Sequence, residues 1–295
     1  MYYRSVSIAM VVLVGAQMLP LAAADPDILQ IGMSDSQMQE LSFKLRPFVV
    51  PEFSKMVSGF TGFKNKVVPR LDPMAAAEQL KTGTLHLCVL QGVEFAWLQA
   101  KNPDLRSLLV ANYDPPVRRA LLVGRTDDPF EGFADLKGKN VRVLQSLLHC
   151  RLFANKGAKE KSEDYFGKIA QKKLGAEDTL DDLLAGNVQA AIVDTTLLDN
   201  YKNINPGRFK RLKILAQSEP FPGSVIVYRS EALSDKMLTK LRTGLLEGGK
   251  TEPIKELMAT IHIKSFQTVP DDYQKNLTSI LKDYPAPTAQ DKATK

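Results

Sequence analysis

Leu80-Lys81-Thr82-Gly83-Thr84-Leu85-His86-Leu87-Cys88-Val89-Leu90-Gln91 and, further along, Leu183-Leu184-Ala185-Gly186-Asn187-Val188-Gln189-Ala190-Ala191-Ile192-Val193-Asp194 follow one pattern. Each reads as a helix closed by a glycine that can take positive φ. A polar-then-apolar strand follows, and a single polar residue, Gln91 or Asp194, ends it. In open α/β sheets the carboxyl ends of the strands line the ligand crevice. The repeat therefore predicts two similar α/β units, each delivering one polar group at a strand tip. If the units sit in different lobes, Gln91 and Asp194 face one cleft. The alternative is chance likeness, since all αβ units share this pattern.

Outward from these stretches, short apolar runs alternate with helix-like segments. Strands are expected at 28–33, 66–68, 85–90, 140–144, 190–193, 213–216 and 225–228, with 108–111 and 119–123 extended. Helices are expected at 36–58, 74–81, 93–101, 179–184 and 195–201. A longer helical region should follow the 140–144 strand to about residue 173, and the chain after 228 should be mainly helical. Alternation of this kind argues for parallel sheets covered by helices.

The amino end reads as an export signal over residues 1–24. Arg4 supplies the positive start, 8–14 the short apolar run, and Ala22-Ala23-Ala24 the small-residue cleavage site before Asp25. The alternative is an uncleaved anchor. Losing Arg4 from the 39 basic residues leaves 38 against 33 acidic ones, a mild excess. Lys and Arg are dispersed, with no basic helix or interleaved aromatic stripe, so no nucleic-acid partner is expected. The length fits two domains. Cys88 and Cys150 are too few for a disulfide scaffold. Export permits one disulfide between them; otherwise they are small buried thiols that never meet.

Taken in order, several segments resemble the type 2 periplasmic binding proteins, closest to the substrate-binding subunits of phosphonate and phosphite ABC transporters. Ile31-Gly32-Met33-Ser34 looks like the first strand and cleft turn, and 80–95 like the helix, glycine and strand segment. Pro116 to Arg125 is similar to the first crossing strand. Phe133-Ala134-Asp135-Leu136-Lys137-Gly138-Lys139 resembles the turn that opens the second lobe, and 186–194 its strand. Ser218-Glu219-Pro220-Phe221-Pro222-Gly223-Ser224 resembles the return passage. The resemblance implies an α/β, two-lobed fold of two sheets joined by two crossing strands. Lobe one would be 25–115 plus 225–284, lobe two 116–224, and 285–295 a disordered tail. It implies a periplasmic protein, a monomer without cofactor or metal, that closes on a small polar or anionic ligand of the phosphonate or phosphate class. An ABC permease in the inner membrane would be its partner.

By family position the implied ligand residues are Ser34, Ser36, Gln91, Gly92, Gln145, Ser146, Asp194 and Thr195, with Arg118 as a bidentate anion partner. Ser36 and Thr195 could equally cap helices. One departure stands out. Relatives carry Gly, Ser and Thr after the strand matched by 140–144, where backbone N–H groups hold the anion at a helix start. Here the stretch is Gln145-Ser146-Leu147-Leu148-His149-Cys150-Arg151, with no glycine and one small hydroxyl. Arg118 stands where many relatives have an aromatic residue.

Two other patterns lead elsewhere. Gly244-Leu245-Leu246-Glu247-Gly248-Gly249-Lys250-Thr251 fits the P-loop spacing but follows a helix, not a strand. His86, Cys88, His149 and Cys150 are metal-capable types, yet a tetrahedral site needs four convergent ligands. No nucleophile elbow or zinc-protease helix is present, so an enzyme is not expected. The other functions open to this fold are a stand-alone sensory or binding module and, more remotely, an enzyme on the same scaffold.

Overall fold

A computed structural model describes residues 25–41, 45–169, 176–248, 250–260 and 263–287. The expected signal segment lies outside these residues, as does 288–295 of the expected tail. The described residues run first through β1 (Leu29–Ser34), α1 (Asp35–Glu40), α2 (Arg46–Thr61), β2 (Asn65–Leu71), α3 (Pro73–Thr82), β3 (Leu87–Leu90), α4 (Gly92–Gln99) and β4 (Leu105–Tyr113). Residues 114–119 then lead to β5 (Ala120–Arg125) and a 3-10 turn at Phe133–Leu136. Next come β6 (Asn140–Val143), α5 (Leu148–Ala158), α6 (Ser162–Tyr165), β7 (Lys168–Ile169), α7 (Ala176–Leu184), β8 (Ala190–Asp194), α8 (Thr195–Ile204), α9 (Pro206–Phe209) and β9 (Leu212–Gln217). Residues 218–224 return to β10 (Val225–Arg229), followed by α10 (Asp235–Gly248), α11 (Glu252–Thr260), β11 (Ile263–Gln267) and α12 (Tyr273–Asp283). No described helix is long and apolar enough to cross a membrane.

The strands form two sheets, ordered β11-β4-β10-β3-β1-β2 and β7-β6-β8-β5-β9. Neither is purely parallel, which corrects that expectation. β1, β2 and β3 run parallel, as do β6, β7 and β8. β10 runs antiparallel to β3 and β4, and β5 antiparallel to β8 and β9. The reason is topological. β5 and β10 are the strands by which the chain enters each sheet from the other, so they arrive from the cleft end.

This arrangement accounts for the repeated sequence pattern. Each copy supplies a strand, β3 or β8, held between a parallel neighbour and the antiparallel entering strand. The two glycines that close the preceding helices, Gly83 and Gly186, have φ of 76° and 78°. Apolar side chains cover both faces of the six-stranded sheet. Leu80, Phe95, Trp97 and Leu277 fill one side, and Met56, Leu109, Leu241 and Met258 the other. Leu122, Val141, Phe153, Ile192 and Tyr201 form the core of the five-stranded sheet.

Three expected elements differ. The single helix at 36–58 is two helices, because Leu41 turns extended (φ −72°, ψ 137°) and α2 restarts with Pro in its first turn. The long helical region ends at Lys159, which adopts a left-handed φ of 58°, and is followed by α6 and the short β7. β11 is a strand within the stretch expected to be helical, pairing along the outer edge of β4. Gly244 and Gly248 of the P-loop-like run serve packing instead. A Cβ on Gly244 would lie 2.7 Å from the Phe60 carbonyl, and one on Gly248 2.7 Å from the Phe60 ring.

Candidate functional site in the interlobe cleft

The loop after β3 and the loop after β8 meet the two inter-sheet passages in one cleft. Gln91 leaves β3 and precedes α4, and its backbone N–H donates to the Glu94 carboxylate at 3.0 Å. Glu94 also accepts from Ser36 Oγ at 2.7 Å. Ser34 Oγ lies 3.0 Å from Ser36 Oγ and accepts from the Gln37 backbone N–H at 3.4 Å. Burial raises the Glu94 carboxyl pKa, and these hydrogen bonds oppose that rise. Ser34 and Ser36 are thus engaged in fixing α1 and α4.

In the other lobe, Asp194 ends β8 and caps α8, accepting from the Thr196 N–H at 2.8 Å. His149, in the first turn of α5, sits with Nε2 2.7 Å from Asp194 Oδ2. Thr195 Oγ1 donates to the Val117 carbonyl and accepts from the Arg119 N–H, both at 3.3 Å, so it ties α8 to the first passage. The Gln145 backbone carbonyl accepts from Arg151, which also donates to Gln39 Oε1 at 3.2 Å across the cleft. Ser146 is exposed. The structure therefore brings Gln91, Gly92, Arg118 and Asp194 together and leaves Ser146 outside.

Arg118 is the centre of the cleft. It is 9% exposed. Nη1 and Nη2 each donate to one oxygen of Glu40 at 3.3 Å, Nε lies 3.5 Å from Asp194 Oδ2, and the guanidinium sits 4.7 Å from the Tyr113 ring centroid. Burial works against its charge, but Glu40 and Asp194 outweigh that and raise its pKa. Asp194 mirrors this. Burial would raise its pKa, yet Arg118 and the His149 hydrogen bond hold it well below the usual carboxylate range. A carboxylate with a depressed folded-state pKa stabilises above its unfolded pKa and loses that contribution as pH falls through the folded value. The stability gap between the wild type and Asp194→Asn should therefore stay constant down to about pH 4 and close only in stronger acid. Chemical denaturation across that range measures it; a gap that closes near pH 6 would contradict the assignment.

A pocket of about 10 Å³ remains beside Arg118, bounded by Gln91, Gly92, Leu148, His149 and Phe221. That is room for about one water. The first turns of α4 and α5 face it from opposite lobes, each bringing N–H groups without intrahelical partners. Gln91 is 6% exposed, its Oε1 accepts from Ser224 Oγ at 3.3 Å, and its Nε2 has no partner. The cleft is shut. Leu148 and Leu152 of α5 pack against the core of the six-stranded lobe.

Sequence reasoning missed Glu94, Glu40 and Tyr113. Gln91-x-x-Glu94 has the spacing of a capping box, which could have flagged Glu94. Nothing local marks Glu40, whose partner Arg118 is 78 residues away. Among the described residues no cluster could hold a metal ion. Cys88 and Cys150 are buried free thiols, one in β3 and one in α5.

Residues 51–273 match the family model described as the periplasmic phosphonate substrate-binding protein of ABC transporters. No curated protein matches the sequence. Among solved structures, PhnD1 from Prochlorococcus marinus, in complex with methylphosphonate, is similar with a TM-score of 0.61 at 16% identity, covering 88% of this chain and 98% of that one. XAC2383 from Xanthomonas citri, bound to chloride, gives 0.58 at 14% identity, covering 88% and 98%. A binding component of an ABC phosphonate transporter from Pseudomonas aeruginosa gives 0.57 at 16% identity, covering 91% and 93%. At these identities the likeness speaks to the fold.

Proposed function

This chain belongs to the phosphonate family of periplasmic ABC-transporter substrate-binding proteins, and from that premise we propose that it captures a small organic anion between its lobes, without turnover, as a monomer. Capture would occur in the periplasm after export, and the closed form would be handed to a membrane permease. The observation that carries this reading is Gln91 Nε2, a buried donor without a partner. It borders the same pocket as Arg118 and the first turns of two opposed helices. Every one of these groups offers positive charge or hydrogen-bond donors, and a buried unsatisfied donor costs about 1–3 kcal/mol until an acceptor arrives. In this reading Gln91, Gly92 and Arg118 contact the anion. Asp194 and His149 set the far wall, with Thr195 and Gln145 behind them. Ser34 and Ser36 hold α1 and α4 in place, and Ser146 contributes only if lobe opening turns it inward.

The pocket is too small for an organic ligand in the closed state, so binding requires the lobes to part and re-close. The test is a thermal-shift and calorimetry series with methylphosphonate, phosphate, alkanesulfonates and small carboxylates. A ligand at roughly 100 times its Kd should stabilise by about 2.7 kcal/mol, raising Tm in a concentration-dependent way. No shift with any of the four classes would count against capture of anions.

A further inference from the structure

Glu40 sits across the terminal nitrogens of the Arg118 guanidinium. Its two oxygens each accept from one terminal nitrogen of the guanidinium at 3.3 Å, the two-pronged arrangement that Arg makes with carboxylates and phosphonates. Glu40 is the last residue of α1, in the six-stranded lobe, whereas Asp194, on the other side of Arg118, belongs to the five-stranded lobe. The Glu40–Arg118–Asp194 chain therefore spans the cleft. Space points the same way. The pocket beside Arg118 measures about 10 Å³, so a ligand head reaching the fork of the guanidinium must move something out. Glu40 is the less enclosed of the two carboxylates, its side chain 15% exposed against 3% for Asp194. Asp194 is further held by Thr196 and His149.

We infer that Glu40 is an internal stand-in for the ligand, closing the empty protein by its own carboxylate and setting specificity because an incoming anion must displace it from Arg118. The inference rests on the capture reading above and narrows the substrate class. The favoured ligand is a small organic anion whose head presents two oxygens to one guanidinium, as a phosphonate or carboxylate does. A halide cannot offer that pair, so it should compete poorly.

The displacement carries a thermodynamic signature. A protein whose competent state is only fractionally populated binds with an apparent Kd raised by that fraction, and removing the competitor removes the penalty. Glu40→Gln and Glu40→Ala should therefore bind methylphosphonate about tenfold or more tighter than the wild type, and small-angle scattering should show their ligand-free forms shifted toward an open shape. Two substitutions guard against a folding artefact, and circular dichroism melts identify either that fails to fold. Arg118→Met serves as the reference that removes the fork itself. Unchanged or weaker binding by both Glu40 variants, with binding abolished in Arg118→Met, would overturn the stand-in while leaving capture at Arg118 intact. Equal binding by all forms would place the ligand away from the fork and overturn it too. No binding of methylphosphonate, phosphate, sulfonates or carboxylates by any form would defeat the capture reading itself, and the inference with it.

Discussion

Arg118→Met is expected to lower folding stability by about 3–5 kcal/mol and to abolish anion binding, because it leaves two carboxylates buried without their cation. Glu40 and Asp194 both pair with the one guanidinium, and Asp194, which also keeps His149 and Thr196, is 2% exposed. Methionine fills much of the volume over Tyr113 but offers no charge. The loss should therefore be electrostatic, and pairing Arg118→Met with Glu40→Met should recover part of it, since it removes one of the two carboxylates left without the cation while Asp194 stays charged. Arg118→Lys should bind an anion weakly. A lysine delivers a point charge and cannot hold Glu40 with two parallel bonds while also reaching Asp194. Urea denaturation of the four proteins, with calorimetric titration of methylphosphonate, measures both effects. A stability change under about 1 kcal/mol would mean that the cluster is solvated.

Gly92→Ala is expected to damage the cleft through shape alone. A Cβ there would stand 2.4 Å from the Pro222 carbonyl oxygen and 2.7 Å from that of Gly223, both backbone atoms of the second inter-sheet passage. Backbone cannot rotate aside as a side chain can. Overpacking of this kind costs about 1–3 kcal/mol. It would also push the 218–224 passage away from the start of α4. Phe221, which lines the pocket together with Arg118 and whose N–H donates to the Arg118 carbonyl at 2.9 Å, moves with it. Anion affinity should thus fall together with stability. Gly59→Ala in α2 is the control, because a Cβ there meets nothing within 4 Å. It should be neutral or stabilise by about 0.5–1 kcal/mol through the lower backbone entropy of alanine. Equal melting temperatures for the two variants would show that Gly92 is not the contact described.

The two-sheet plan was legible because its signals are local. Gly83 and Gly186 each mark a helix end by a conformation that glycine adopts freely, and Gln91 and Asp194 follow from strand direction alone. The sense of β5 and β10 was not legible from periodicity, because a strand's alternation does not say from which end the chain enters the sheet. β11 escaped because Ile263-Lys264-Ser265-Phe266-Gln267 is a short edge strand with only partial burial. At the site, the sequence singled out Arg118 but not the carboxylate that holds it. Glu40 lies on a helix whose separation from α2 depends on Leu41 turning extended, and its contact closes over a long stretch of chain. Ser34, Ser36 and Thr195 have the residue types of ligand contacts, yet their hydroxyls are committed to Glu94, α1 and the first passage. Residue type does not distinguish a hydroxyl aimed at a ligand from one spent on the scaffold.

The most direct measurement is a crystal structure of the protein grown with methylphosphonate at saturating concentration. The account predicts the phosphonate between the starts of α4 and α5, two of its oxygens on the Arg118 guanidinium, a third near Gln91 Nε2, and Glu40 swung away toward solvent. A phosphonate bound elsewhere, with Glu40 still on Arg118 and Gln91 Nε2 still unpaired, would contradict it.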